Sequence, residues 1–272
     1  MYTLDPSHSY TMPTCGTFRP PKPWQWPTGG MRYGRCPAMS VSFLTERSAV
    51  ERCLPEPFSV DTEPIVTVYA VACEDVDWLA GHGYNLVGVD VAAVFNGNVD
   101  RDVHGGYCVV MWEDMCEPII GGREHSGVPK IFADINIEKT PDDGWACKVS
   151  RFDHTFLELS VTNLQPLDEQ ACRDAEKARR DAVWMCYKYI PRLENDGADV
   201  SYATVYPTSA TCASSATADG AVHFRTATPK QAPTQHEVIN LLADLPVLEI
   251  RAAAWTDWHE VRAIDRQTQR LQ

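Results

Sequence analysis

Apolar and polar positions alternate through most of the chain, and the middle reads as strand after strand. MSVSFL (39–44) has the period of two that buries one face of a strand, whereas SAVERCLP (48–55) has helical apolar spacing that stops at Pro55. PIVTVYAVAC, VGVDVAAVF and YCVVMW are β-branched and aromatic runs bounded by Gly, Asn and Asp, as strands are. KIFADINIEK and GWACKVS flank a turn at Pro141-Asp142-Asp143-Gly144, and FLELSVTNL continues the sheet. Good helix formers of mixed charge predict a helix between Leu167 and Tyr189, ended by Pro191. SATCASSATADG (209–220) is expected to be a flexible or turn-rich connection, with Asp219-Gly220 leading into the strand AVHFRT. Thr234 is expected to cap a short helix, QHEVINLLADL, before Pro246, and VLEIRAAAWTDWHEV supplies the last strands.

Six prolines between Pro6 and Pro27, with Trp24 and Trp26 among them, predict an irregular arm over residues 1–37 that packs by its aromatics. Residues 38–272 then form a single β-rich α+β domain, a closed or nearly closed antiparallel sheet with a few helices. Twenty-four Lys and Arg against 37 Asp and Glu give a formal net charge of -13, and no basic run exists, so non-specific nucleic-acid binding is excluded. No apolar run reaches membrane-span length, and the first residues lack the basic and apolar regions of a secretory leader, so a cytoplasmic protein is expected. The ten cysteines include no C-x-x-C pair and no paired zinc spacing. They are expected to be reduced, mostly buried thiols, with no metal site.

The zincin signature is absent, since HEVIN and WHEVRA lack the second His, and there is no nucleophile elbow, P-loop or dinucleotide fingerprint. The segment that stands out is Gly121-Gly122-Arg123-Glu124-His125-Ser126-Gly127-Val128-Pro129-Lys130-Ile131-Phe132. Lys130 enters an apolar run with Arg123 and His125 just upstream, and desolvation and nearby positive charge both favour its neutral form. A neutral lysine is a nucleophile toward carbonyls. The same spacing also suits a lysine at a strand edge with its head in solvent.

EPIIGGREHSGVPKIFADI resembles the active-site stretch of the acetoacetate decarboxylase family, which carries an E-P…G-R-E…P-K pattern with a Schiff-base lysine after the proline. CLPEPF (53–58) before EPIVTVYAV, VFNG (94–97) and LADLPVLEI (242–250) are similar to three further family segments, in the right order, so the likeness runs from about Ser40 to Arg262. The resemblance implies a β-barrel or cone, homo-oligomers, and no cofactor beyond a covalent imine on Lys130, the catalytic residue. The activation of such a lysine by burial or a cationic neighbour is the known behaviour of acetoacetate decarboxylase itself.

Departures from the family pattern narrow the expectation. The second lysine usual after the nucleophile is Ile131 here, so burial by Val128, Ile131 and Phe132, with help from Arg123, is expected to replace it. Two family glutamates fall on or near Tyr69 and Leu86, and the family's N-terminal arginine corresponds to Arg32 or Arg35. Tyr69 is a proton-handling candidate or a half-buried strand tyrosine. Glu124 contacts the pocket or pairs with Arg123 to hold the loop, His125 is a candidate acid/base, and Arg123 orients a substrate anion or forms a structural salt bridge. Three readings follow: a carbon-carbon lyase decarboxylating a β-keto acid larger or more apolar than acetoacetate, an aldolase-dehydratase or dehydration/cyclisation catalyst on the same lysine, and a non-catalytic ligand-binding barrel.

Overall fold

The protein, a computed structural model, is described for residues 30–263 and 268–272. Trp24, Trp26 and most of the Pro-rich segment lie outside the described residues. Its strands are β1 (Met31–Leu44), β2 (Phe58–Val60), β3 (Ile65–Val76), β4 (Tyr84–Phe95), β5 (Val103–Glu113), β6 (Lys130–Phe132), β7 (Asp134–Lys139), β8 (Trp145–Arg151), β9 (His154–Pro166), β10 (Trp184–Pro191), β11 (Ala198–Val205), β12 (Thr208–Phe224), β13 (Glu249–Ala263) and β14 (Gln269–Arg270). The α-helices are α1 (Arg47–Val50), α2 (Cys116–Gly121), α3 (Glu169–Asp181) and α4 (His236–Ala243).

All fourteen strands share one sheet, in the order β14-β11-β10-β5-β4-β3-β1-β13-β12-β9-β8-β7, with β2 on β4 and β6 on β5. Pairing is antiparallel except where β5 runs parallel to β6 and to β10. The β-rich α+β architecture expected from the alternating pattern is therefore present. The sheet folds over on itself, so that β9 packs against β1 and β3, and β7 against β4. Val41, Phe43, Val68, Val89, Trp112 and Phe156 fill the space between, all of them fully buried. Each such side chain contributes about 1.5–3 kcal/mol relative to exposure.

Three local expectations are corrected. The helix predicted between Leu167 and Tyr189 stops at Asp181, and Trp184–Pro191 is β10, which covers one flank of β5 and pairs with β11. A short continuous apolar run such as WMC does not separate helix from strand by period, and sheet pairing decides it. The Ser/Thr/Ala stretch is not a loop but the middle of β12, held between β13 and β9. Its small side chains lie under α3, which packs on this strand. Thr234 does not cap α4, whose N-cap is Gln235. The Gln235 amide instead accepts a hydrogen bond from Trp112 Nε1 (2.9 Å) and donates one to the Phe132 carbonyl (2.8 Å), tying α4 to β5 and β6. All nine described cysteines are free, seven of them buried.

Candidate active site

One row of residues runs across five strands by register: Lys130 pairs with Met111, Met111 with Gly88, Gly88 with Tyr69, and Tyr69 with Ser40. Lys130, Met111, Tyr69 and Ser40 line a cavity of about 410 Å³. Its wall is chiefly apolar and aromatic, with Tyr33, Tyr84, Leu86, Trp184, Tyr206 and Trp258 among its residues. Two glycines leave room for the long side chains. A Cβ on Gly88 would lie 2.3 Å from Tyr69 Cζ and Oη, and one on Gly122 would lie 2.5 Å from Lys130 Cδ and Cε. The absence of those carbons lets Tyr69 lie across β4 toward β5 and lets the lysine stem pass beneath the Gly122 backbone.

The loop before Lys130 is clamped from several sides. Residues Gly122–Ser126 form a π-helical turn. Thr204 donates to the Ser126 carbonyl (2.7 Å) and Lys188 Nζ to the His125 carbonyl (3.0 Å), so β10 and β11 hold the turn. Arg123 Nη1 donates to the Lys130 carbonyl (3.0 Å), bracing the nucleophile candidate's backbone from the exposed side.

Lys130 Nζ lies 2.8 Å from Glu113 Oε1 and donates to the Pro118 carbonyl at 3.2 Å. Glu113 is 0% exposed, and neither of its oxygens accepts a well-oriented hydrogen bond. Burial pushes its carboxyl above the ordinary range, opposed by the charge of Lys130. The pair is therefore a proton donor and acceptor held together in a low-dielectric place. Another carboxyl, Asp90, lines the cavity itself. It accepts from Trp184 Nε1 (2.9 Å) and from the Tyr69 hydroxyl (3.3 Å), and burial lifts it to about 7 despite those bonds. The acid carries its proton near neutral pH and sits in the next paired position from Gly88 on the same face of β4.

The sequence candidates separate cleanly. Lys130, Tyr69, Leu86 and Val128 line the cavity. Ile131 and Phe132 do not: along β6 the side chains alternate, so Ile131 joins the main core on the other face and Phe132, 37% exposed, lies under Arg151. Of the three sequence neighbours expected to bury Lys130, only Val128 shares its cavity, where Met111 and the tyrosines take the place of Ile131 and Phe132. Arg32 and Arg35 are also outside the cavity. Arg32 pairs with Glu260 (2.6 Å) and Asp77 (2.9 Å), and Arg35 with Asp257 (2.9 Å) and Glu74 (3.2 Å), in a network between β1, β3 and β13. Arg123, Glu124 and His125 do not line the cavity either. Glu124 lies within electrostatic reach of Lys188, and burial beside Lys188 pulls the His125 imidazole down to about 4.

Three groups escaped the sequence reading: Asp90 and Arg179, which line the cavity, and Glu113, which lies behind it against Lys130 Nζ. A lone carboxylate inside VGVDVAAVF, and another closing the apolar run VVMWE, are the signals that mark Asp90 and Glu113, because an unpaired charge in a buried strand is costly and needs a reason. Arg179 sits in a charged helix and carries no such signal.

A model for the family Acetoacetate decarboxylase (ADC) matches residues 11–261. Acetoacetate decarboxylase 3 of Mesorhizobium japonicum is 26% identical over 246 residues, which is 90% of this chain and 84% of that protein. Among solved structures, acetoacetate decarboxylase of Legionella pneumophila superposes with a TM-score of 0.72 at 16% identity, covering 96% of this chain and 97% of the other. The enduracididine biosynthesis enzyme MppR, complexed with the condensation product of pyruvate and imidazole 4-carboxaldehyde, superposes with a TM-score of 0.65 at 13% identity, covering 90% of both chains.

Proposed function

The chain belongs to the acetoacetate decarboxylase family, and from that premise we propose that it is a Schiff-base-forming lyase, decarboxylating a β-keto acid larger or more apolar than acetoacetate through an imine on Lys130. The observation that carries this reading is the Lys130 amine inside an apolar cavity, 2.8 Å from a fully buried carboxylate.

Glu113 takes a proton from the Lys130 ammonium, and the free amine adds to the ketone carbon. Loss of water from the carbinolamine leaves an iminium, whose positive nitrogen draws in the electron pair of the bond to the carboxylate. Carbon dioxide departs and a neutral enamine remains. A proton delivered to the enamine carbon regenerates the iminium, and water then releases the ketone and the lysine. Asp90, protonated near neutral pH and hydrogen-bonded by Tyr69, is the acid the cavity offers for that delivery. The apolar wall favours the step in which charge is lost, because a carboxylate is poorly solvated there and the neutral enamine is not.

The same acid supports a second reading, an aldolase-dehydratase on Lys130, since expulsion of hydroxide after carbon-carbon bond formation also needs a proton donor. Borohydride added during incubation with β-keto acids, or with an aldehyde plus pyruvate, tests both. The expected result is a reduced adduct on the Lys130 peptide, with released carbon dioxide for the first reading and a condensed product for the second. No adduct with any carbonyl compound, together with unchanged behaviour of Lys130→Ala, would overturn both and leave a ligand-binding barrel.

A further inference from the structure

Helix α3 begins at an Asp168 cap, whose side chain accepts from the Ala171 amide at 2.9 Å, and lies on β12 by the face that carries Ala171, Cys172, Ala175 and Glu176. Glu176 fixes it there by accepting from the Cys212 amide at 2.8 Å. Arg179, three residues on, continues that face past the strand and enters the cavity. Its guanidinium stacks over Trp258 with Cζ 5.0 Å from the ring centroid. Among the described residues it has no carboxylate partner, and its buried Nε donates no hydrogen bond. Its electrostatic neighbours are Cys36, Tyr69 and Cys73; burial pushes the Tyr69 hydroxyl upward, and a hydrogen bond with Cys36 together with burial does the same for the Cys73 thiol, so neither of these two supplies a counter-charge.

A guanidinium stays protonated even in such a place, and an un-neutralised buried cation is costly unless an anion completes it. The planar fork, held flat on an indole, suits a carboxylate in two parallel hydrogen bonds. The position along the strands decides which carboxylate. Trp258 pairs with Cys36, and Cys73 with Tyr84, so Arg179 stands over that row. The Lys130 row crosses the same strands at Ser40, Tyr69 and Gly88, four residues away on each, which is roughly 13 Å along a strand. The carboxylate lost from a β-keto acid is two bonds from the imine carbon and remains in the Lys130 row. Holding that group on a cation would also stabilise the ground state of the charge that must disperse.

We infer that Arg179 binds a second carboxylate, distal to the reacting carbonyl and retained through the reaction, so that the substrate class is an oxo acid with a carboxylate several bonds from its ketone. This rests on the Lys130 reading for the position of the carbonyl, but not for the anion site itself.

Two measurements separate them. Borohydride trapping on Lys130 is followed with 6-oxoheptanoate and with its methyl ester, and thermal stability is followed with heptanoate and with heptanamide, which form no imine. The wild-type protein is expected to trap the acid at concentrations at least tenfold below the ester, and to gain several degrees in Tm from heptanoate but not from heptanamide. Arg179→Gln, uncharged and still able to lie on Trp258, is expected to reduce acid trapping at least tenfold more than ester trapping and to abolish the heptanoate shift. Equal trapping of acid and ester with no heptanoate shift in the wild type, or a preference and a shift that survive in R179Q, would overturn the anion site while Lys130 chemistry stands. Should neither carbonyl compound trap while heptanoate still stabilises the wild type alone, the imine reading falls and the anion site stands. The wild-type comparisons decide the matter even where R179Q does not fold.

Discussion

Asp90→Asn isolates one buried titration. In the folded protein the Asp90 carboxyl holds its proton to about 7, against an ordinary value of 3.8, because burial outweighs the bonds from Trp184 and Tyr69. The unfolded chain releases that proton near the ordinary value, so between the two the unfolded state binds fewer protons and stability falls as pH rises. The whole gap corresponds to about 4 kcal/mol, less whatever cavity water returns, and the part lost between about pH 5 and pH 8 is about 2.5 kcal/mol. Asparagine keeps an acceptor for Trp184 and has no titration. Urea unfolding of both proteins, at fixed concentration and read by tryptophan fluorescence, should show Asp90→Asn gaining on the wild type by about 2.5 kcal/mol over that range. A difference between the two proteins that stays constant from pH 5 to pH 8 would refute the raised carboxyl, and with it the assignment of Asp90 as an acid near neutrality.

Two further outcomes test the packing of the site. Gly88→Ala places a Cβ 2.3 Å from the Tyr69 hydroxyl, so the ring must leave its bond to Asp90. A loss of about 1–3 kcal/mol in denaturation, with a drop in borohydride trapping, is expected. Glu113→Gln leaves the Lys130 ammonium without its counter-ion and should cost about 3–5 kcal/mol, while Glu113→Gln combined with Lys130→Met should recover much of that. Additive losses in the double variant would show that the 2.8 Å contact is not energetically coupled.

The strands were legible where alternation meets a bounded run. β3, β4, β5, β8 and β9 follow from VTVYAV, VGVDVAAV, CVVMW, WACKVS and FLELSV, because each buries one face of a sheet and ends at Gly, Asp or Asn. β12 was illegible for a physical reason. Its Ser, Thr and Ala side chains have little intrinsic strand preference, and what keeps them extended is pairing on both edges and a helix that needs small residues beneath it. β10 was hidden by the helix before it, whose charged pattern ends only at Asp181, and by aromatic residues that serve either element.

The site divides along the same line. Lys130 was legible because it is local: a proline, a lysine and a hydrophobic run set its backbone within a few residues, and the resemblance to a known family lies in that stretch. Its surroundings are not local. Glu113 meets Lys130 across a parallel strand pair, Asp90 is aimed by a tyrosine and a tryptophan from two other strands, and Arg179 arrives from a helix laid over the far side of the sheet. Motif reading placed the cationic partners next to the lysine in sequence, at Arg123, or on β1, at Arg32 and Arg35. Each of those has a nearer hydrogen-bond partner: the Lys130 carbonyl for the first, and carboxylates of β3 and β13, with Asp77 just beyond β3, for the others. Arg179, by contrast, has no carboxylate partner among the described residues and stands inside the cavity, and the energetic cost of leaving it so is what turns its position into a statement about the ligand.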